Sequence, residues 1–136
     1  MKVRIKRIDK SLPLPRYATG GSVALDLICR ETVRIPPGQI ARIPANVIIE
    51  TPPGYMFLIS LRSSTPRKYG LLIPHGIGVI DNDYCGEGDE IMIQVLNFTD
   101  KEVTVPRGAR IAQGTFVRIE KVSWEEVESM DRETRG

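Results

Sequence analysis

Residues 76–86, with the sequence GIGVIDNDYCG, carry side chains that could act together on a substrate. Asp81 follows a short apolar run, and Asp83 and Tyr84 come two and three residues after it. A carboxylate beside an apolar run can be partly desolvated, which suits it to act as a general base. The glycines permit tight turns and a close approach of the backbone to a flat ligand. The alternative interpretation is a β-hairpin with a polar turn, in which Asp81 caps its own backbone.

Three other segments contain side chains that can bind phosphate or a metal ion. Hydroxyls, backbone N–H groups in a turn, and arginine all bind phosphoryl oxygens, and the Gln113 amide can donate to the same atoms. Taken alone, each segment also has a structural interpretation: a polar turn for Arg62-Ser63-Ser64, and a salt bridge beside an apolar strand for Asp26. The three segments are ALDL at 24–27, RSS at 62–64 and GARIAQ at 108–113.

Length and composition are those of one ordinary soluble domain. The chain has 136 residues, of which 41% are hydrophobic and 26% charged. A net charge of +2 gives no electrostatic reason to expect a nucleic-acid partner. No apolar run approaches the roughly 18 residues that a membrane span needs, so no membrane association is expected.

The N-terminus and the rare residue types exclude several other classes. Residues 1–7 are basic but are not followed by an apolar stretch, so they predict an edge strand rather than a secretory signal. Cys29 and Cys85 lie far apart and predict no disulfide framework, which favours a cytoplasmic setting. With His75 as its single histidine, one chain has too few ligands for a zinc site built from His and Cys.

Proline–glycine turn signals separate short β-branched runs along the whole chain. This pattern predicts an all-β sandwich or barrel. Residues 1–120 are expected to form a single β domain, and residues 121–136 a charged C-terminal extension. Ser123 and Glu126 resemble a capping box and predict a helix over 123–130, and a second short helix is predicted over 66–69. The expected turns are 36–38, 52–54 and 106–108, and the expected strands are 39–49, 55–61, 90–96, 102–105 and 115–119.

Taken in order, the four segments resemble the motifs of the trimeric dUTPase family, which hydrolyses dUTP to dUMP and pyrophosphate. ALDL resembles the first motif, RSS with Gly70-Leu71 downstream the second, residues 76–86 the third, and GARIAQ the fourth. The resemblance covers about residues 20 to 118. It implies a distorted jelly roll that assembles as a homotrimer with active sites at subunit interfaces.

The resemblance also implies a role for each residue. Asp81 is the catalytic base that activates water for attack on the α-phosphate, and Asp26 reaches Mg²⁺ through water. The Tyr84 ring packs under the deoxyribose and leaves no room for a 2′-hydroxyl. The implied phosphate contacts are Arg62, Ser63, Ser64 and Gln113. The implied uracil contacts are His75, Gly76, Ile77, Gly78, Val79 and Ile80, and Met92 is implied as a further substrate contact.

Backbone groups explain how a strand can recognise uracil. Uracil offers one N–H donor between two carbonyl acceptors, and a strand edge presents complementary groups. A base with the wrong donor pattern would leave buried polar groups unpaired.

The sequence departs from the family pattern in four places. Leu61 stands where a proline is common, and His75 where some members carry asparagine. The acidic segment 87–90 is longer than usual, and is either an extended hairpin turn, a cation site or part of the base-pocket rim. The fifth motif, a glycine-rich arm that closes over the nucleotide, would begin at 135–136. The arm is therefore either absent or outside this sequence, and full activity is expected to need it.

Two other functions fit the same fold. The sister family of dCTP deaminases uses a glutamate on the strand after the third motif. Gln94 lies near that position, and a neutral amide cannot serve as a base, which argues against deamination. The other alternative is a non-catalytic deoxynucleotide-binding regulator, which only the missing arm favours.

Overall fold

The computed structural model describes residues 1–136 and contains twelve strands and one short helix. The strands are β1 (Ile5–Arg7), β2 (Arg16–Tyr17), β3 (Leu25–Leu27), β4 (Val33–Ile35), β5 (Ile40–Pro44), β6 (Val47–Ile49), β7 (Tyr55–Leu61), β8 (Leu71–Leu72), β9 (Gly78–Ile80), β10 (Met92–Asn97), β11 (Val103–Val105) and β12 (Ala112–Arg118), and the helix α1 is Thr65–Tyr69.

The strands form four antiparallel sheets. The largest has the order β2-β3-β12-β7-β9, and a three-stranded sheet has the order β5-β10-β8. β1 pairs with β6, and β4 pairs with β11. The predicted all-β fold is therefore confirmed. The four sheets do not join into one closed sheet, so the jelly-roll arrangement stays a prediction.

The core lies between the five-stranded and three-stranded sheets. Strand β10 alternates half-buried and buried residues, so Ile93 and Val95 point inward. They belong to one cluster of buried side chains with Phe57 and Ile59 of β7. Opposite Ile59 on β12 lies Gly114, where an added Cβ would be 2.1 Å from the Phe57 ring. Gly114 therefore makes room for the largest fully buried side chain of the core.

The three proline–glycine turns are confirmed by hydrogen bonds across each of them. The turn at 52–55 matters most for the site, because it precedes β7 and contacts the residues after β9. The Tyr55 N–H donates to the Pro52 carbonyl at 3.1 Å, and Gly54 has a φ of 84°. A positive φ at this position favours glycine. The corresponding bonds are Gln39 N–H to Pro36 O (3.2 Å) and Ala109 N–H to Pro106 O (3.0 Å).

The single strand predicted over 39–49 is wrong, because the chain breaks at Asn46. Asn46 has a φ of 71°, a conformation that asparagine tolerates better than most residues. Its side chain accepts from the Asp9 N–H at 2.7 Å and donates to the Asp9 carbonyl at 3.0 Å. After the break, β6 pairs with β1 while β5 pairs with β10. The edge strand predicted near the N-terminus is confirmed as β1.

One of the two predicted helices is confirmed and the other is wrong. α1 begins with a proline in its first turn and ends at Gly70, whose N–H donates to the Pro66 carbonyl at 2.9 Å. The structure has no helix over 123–130, and residues 120–136 are all exposed. A helix of this length is marginal in water unless an apolar face packs on a surface. Trp124 is 91% exposed, so the protomer supplies no such surface.

No helix of the structure is both long enough and apolar enough to cross a membrane.

The connection from β9 to β10 joins different sheets, so its interpretation as a hairpin turn is wrong. Glu87 accepts a hydrogen bond from Lys6 at 2.6 Å on the surface. Glu90 binds Arg30 through two bonds, of 2.7 and 2.9 Å, and accepts from the Asn46 N–H at 2.9 Å. The hydrogen bonds to Glu90 raise the pKa of the Arg30 guanidinium above its ordinary value. Glu90 therefore holds the connection against the body of the domain, whereas Glu87 forms only an exposed ion pair.

Replacing Gly114 with alanine should destabilise the core. The new methyl group would overlap the Phe57 ring, and overpacking of this kind costs about 2 kcal/mol of unfolding free energy. The matched control is Gly20→Ala, where no atom lies within 4 Å of the added Cβ. Denaturant unfolding of both variants checks this. Equal stability of the two would contradict the close contact.

Removing Glu90 should destabilise the protein more than removing Glu87. Glu90→Ala leaves Arg30 unpaired and the Asn46 N–H without its acceptor, at a cost of about 3 kcal/mol. The Glu87–Lys6 pair is exposed, so Glu87→Ala should leave the thermal midpoint nearly unchanged. Thermal unfolding of the two variants measures the difference, and similar midpoints would show that the Arg30–Glu90 pair does not anchor the connection.

Candidate functional site

A groove of about 380 Å³ lies between β9 and β10, and we call it the β9–β10 groove. Strand β9 ends the five-stranded sheet, so its backbone pairs with β7 on one edge only. The groove thus combines apolar walls with an unpaired strand edge, which suits a planar polar ligand. Its lining residues are Ile59, Ile73, His75, Ile77, Gly78, Val79, Ile80, Met92, Ile93 and Gln94.

Five of the six predicted base contacts line this groove, as does Met92, the further predicted substrate contact. The exception is Gly76, which forms the turn before β9, with its N–H donating to the Ile73 carbonyl at 3.1 Å. Gly78 lets β9 lie close to β7, because an added Cβ would be 3.1 Å from Ile59. Gln94, at the position near the deaminase glutamate, lines the groove beside Met92.

A second groove, the acid groove, adjoins the first at Ile80. It contains Asp81, Asp83 and Lys121. Asp81 is exposed, so the partial desolvation expected of a general base is not present in a single protomer. Asp83 makes no ion pair within the protomer.

The loop that carries Asp81 is anchored by two of the residues that follow it, Asn82 and Tyr84. The Tyr84 hydroxyl donates to the Glu90 carbonyl at 3.0 Å, and the ring lines none of the described grooves. Its predicted packing under a sugar therefore stays a prediction. The Asn82 amide nitrogen contacts three backbone carbonyls, and sequence reasoning missed this residue. Asparagine between two aspartates has the composition of any polar turn, so only the fold reveals these contacts.

A third groove, the hydroxyl groove, has a volume of about 250 Å³ and shares no lining residue with the other two. Strand register explains why its polar side chains meet. Asp26 pairs with Gln113, which in turn pairs with Ser60, so the three lie side by side on one face. The predicted residues that line this groove are Asp26, Arg62, Ser63, Ser64 and Gln113.

Two contacts fix the side chains of this groove. Arg62 Nε lies 3.4 Å from Asp26 Oδ1, which is the salt bridge that the structural interpretation of Asp26 describes. The Gln113 amide donates to the Ser60 hydroxyl at 3.3 Å. Ser60 was also missed, because a serine inside an apolar strand gives no signal of a ligand. The groove thus offers one guanidinium, an amide and several hydroxyls, which is the chemistry of an anion site.

The fit of Mg²⁺ depends on the donor set. The chain has no group of three or more His, Cys, Asp or Glu residues placed to hold a metal ion. Mg²⁺ keeps several waters and takes other ligands from substrate phosphates, so one carboxylate in a phosphate-binding groove fits its chemistry. Asp26 is such a carboxylate, with its side chain 14% exposed.

Comparisons with known proteins agree on one family. A family model described as dUTPase matches residues 10–136. The chain is 41% identical to the deoxyuridine 5′-triphosphate nucleotidohydrolase of Dictyoglomus turgidum over 140 residues, covering 100% of this chain and 93% of that protein. It is 37% identical to the enzyme of the same name from Thermobifida fusca over 138 residues, covering 100% of this chain and 75% of the relative.

Solved structures give the same result. The crystal structure of dUTPase from Streptococcus mutans superposes with a TM-score of 0.81 at 30% identity, covering 88% of this chain and 98% of that one. A dUTPase of Staphylococcus bacteriophage 80alpha, solved with dUpNHpp, has a TM-score of 0.86 at 23% identity, covers 98% of this chain and 92% of its own, and shares the fold. The family match and the full-length relatives together show that this chain belongs to the dUTPase family.

Proposed function

We propose that this protein hydrolyses dUTP to dUMP and pyrophosphate with Asp81 as the general base. Its relatives of 36–41% identity are named as enzymes of this reaction. The mechanistic proposal rests on the position of Asp81. It lies one residue beyond the end of β9, in the acid groove that adjoins the β9–β10 groove. A nucleotide whose nucleobase is bound at the free edge of β9 would lie near this carboxylate.

Uracil recognition is assigned to the β9–β10 groove. The free edge of β9 supplies backbone donors and acceptors, and Ile77, Ile80 and Met92 supply apolar contacts for the ring. A cytosine or adenine edge would leave these backbone groups unpaired, and unpaired buried polar groups carry a large penalty. Exclusion of ribonucleotides is assigned to the Tyr84 ring.

Triphosphate binding is assigned to the hydroxyl groove. Arg62, Ser63, Ser64 and Gln113 would bind phosphoryl oxygens, and Arg62 would exchange its contact with Asp26 for one with phosphate. Asp26 would then be free to hold Mg²⁺ through water. The ion, when bound, supplies positive charge that offsets the negative charge of the triphosphate.

The chemical step requires one proton acceptor. Asp81 accepts a proton from a water molecule as the water oxygen forms a bond to the α-phosphorus. The bond from the α-phosphorus to the bridging oxygen breaks, and pyrophosphate leaves with that oxygen. The products are dUMP and pyrophosphate.

We infer that the complete site is built from more than one copy of the chain. The hydroxyl groove shares no lining residue with the two grooves that contain the base contacts and Asp81. We therefore place the site at the interface of a homotrimer, with Asp81 from one subunit and Arg62 from another. The extension supports assembly, because its apolar residues have no partner in the protomer; these are Val122, Trp124, Val127 and Met130. A jelly-roll arrangement of the sheets is part of the same proposal.

We also propose that the protein works in the cytoplasm. Cys29 and Cys85 are both free thiols, which is compatible with the reducing cytoplasm. Burial raises the pKa of the Cys29 thiol to about 12 and keeps it protonated. The deaminase alternative is disfavoured because Gln94, although it lines the β9–β10 groove, carries an amide that neither accepts nor donates a proton as a base or acid.

Asp81→Asn should abolish most of the activity while preserving substrate binding. Loss of a general base typically lowers the rate by about 10²–10⁴-fold, and the isosteric amide leaves the groove shape intact. Pyrophosphate release from dUTP, with and without Mg²⁺, measures the effect. The matched control is Asp100→Asn, an exposed acid beyond β10 that should keep the wild-type rate. Wild-type turnover by Asp81→Asn would refute the mechanism.

A further inference from the structure

Sheet hydrogen bonding ends one residue before Asp81. Ile80 is the last residue of β9 with a partner, Phe57, on β7. The Asp81 carbonyl accepts only a long contact of 3.4 Å from the Tyr84 N–H, and its exposed carboxylate has no hydrogen bond in the protomer. Strand pairing therefore does not fix the direction of this carboxylate.

Asn82 supplies an anchor at the adjacent position. Its Nδ2 donates to the backbone carbonyls of Thr51, Pro52 and Tyr55 at 3.1, 2.9 and 2.8 Å. The amide nitrogen carries two hydrogens, so at least one of them is shared between two carbonyls. Aspartate has no donor and serine has one, so neither could make the same set of contacts. The half-buried Asn82 side chain thus ties the loop to the turn that precedes β7.

That turn is itself a rigid attachment point. Pro52 and Pro53 have fixed φ angles, and the Tyr55 N–H closes the turn onto the Pro52 carbonyl. The Gly54 carbonyl accepts from the Ile119 N–H at 3.0 Å, which links the turn to the end of β12. A loop that is bonded to this turn is therefore held in place relative to the five-stranded sheet.

We propose that Asn82 is a positioning residue for Asp81. Its amide clamps the residue after Asp81 to the 52–55 turn, and so holds the carboxylate where it can accept the proton of the attacking water. The inference rests on the proposed role of Asp81 as general base. Misplacing a catalytic group by about 1 Å can cost about 100-fold in rate. Asn82 lines the acid groove beside Asp81, but it lines neither the β9–β10 groove assigned to the base nor the hydroxyl groove assigned to the triphosphate. Loss of the clamp should therefore lower kcat and change affinity little.

Two variants separate positioning from general stability. Asn82→Ala removes the clamp and should lower kcat for dUTP by about 10–100-fold, with the Kd for dUpNHpp within about twofold of wild type. Asn97→Ala is the matched control, because the Asn97 amide likewise donates to two backbone carbonyls, Ile35 O at 2.9 Å and Lys101 O at 2.7 Å. It should lower the thermal midpoint and leave kcat within about twofold. Asn97→Ser, which keeps one donor, replaces it if the alanine variant does not fold.

A double-mutant cycle tests whether Asn82 acts through Asp81. Asn82→Ala should lower kcat at least tenfold in the wild-type background and less than about twofold in the Asp81→Asn background. Residue 81 no longer accepts a proton in the Asp81→Asn background, so its displacement should not lower the rate further. Hydrogen exchange gives a readout without turnover. Amides of residues 81–85 should exchange faster in Asn82→Ala than in Asn97→Ala.

The outcomes distinguish this inference from the mechanism beneath it. Full activity of Asp81→Asn overturns both. Loss of activity in Asp81→Asn with a wild-type kcat in Asn82→Ala overturns the positioning role alone. Equal penalties for Asn82→Ala in both backgrounds, or equal kcat losses in the two asparagine variants, would also overturn it and leave Asn82 as a stabilising residue only.

Discussion

A single constraint governs the candidate site: the carboxylate of Asp81, the proposed general base, lies just beyond the end of a strand, where no strand pairing holds it. β9 must end at Ile80 so that its free edge and Asp81 face adjoining grooves. The connection that follows is then fixed by side chains instead of sheet pairing, through the Asn82 amide, the Tyr84 hydroxyl and the Arg30–Glu90 pair. Asn82 and Tyr84 donate to backbone carbonyls, and Glu90 binds the partly buried charge of Arg30. These contacts fix the connection against the rest of the domain.

The same core separates the two halves of the chemistry. β7 carries Phe57 and Ile59 into the core and pairs with β9 on one side and β12 on the other. The β9 side bears the β9–β10 groove and Asp81, whereas the β12 side bears Gln113 beside Asp26. This division explains why the protomer contains every predicted side chain and yet presents them in separate grooves. In the proposed trimer, assembly would bring complementary grooves of different copies together.

The sequence predicted those features that depend on local chemistry. Proline and glycine marked the three turns, and the mainly apolar run after the 52–54 turn marked the bounds of β7, because both signals act within a few residues. It could not predict the break at Asn46 or the missing helix at 123–130, since these depend on which surface is available for pairing or packing. Asn82 and Ser60 were missed for the same reason. Their partners lie 27–31 and 53 residues away along the chain.

The central claim is that one active site takes Asp81 from one copy and Arg62 from another. Subunit complementation tests this claim most directly. Inactive Asp81→Asn and Arg62→Ala chains are unfolded together in equal amounts, reassembled, and assayed for pyrophosphate release from dUTP. In randomly mixed trimers about a quarter of the sites would combine an intact Asp81 with an intact Arg62, and activity should return to about a quarter of the wild-type value. Mixed trimers that stay as inactive as the separate variants would show that each site is built within one chain and contradict the account.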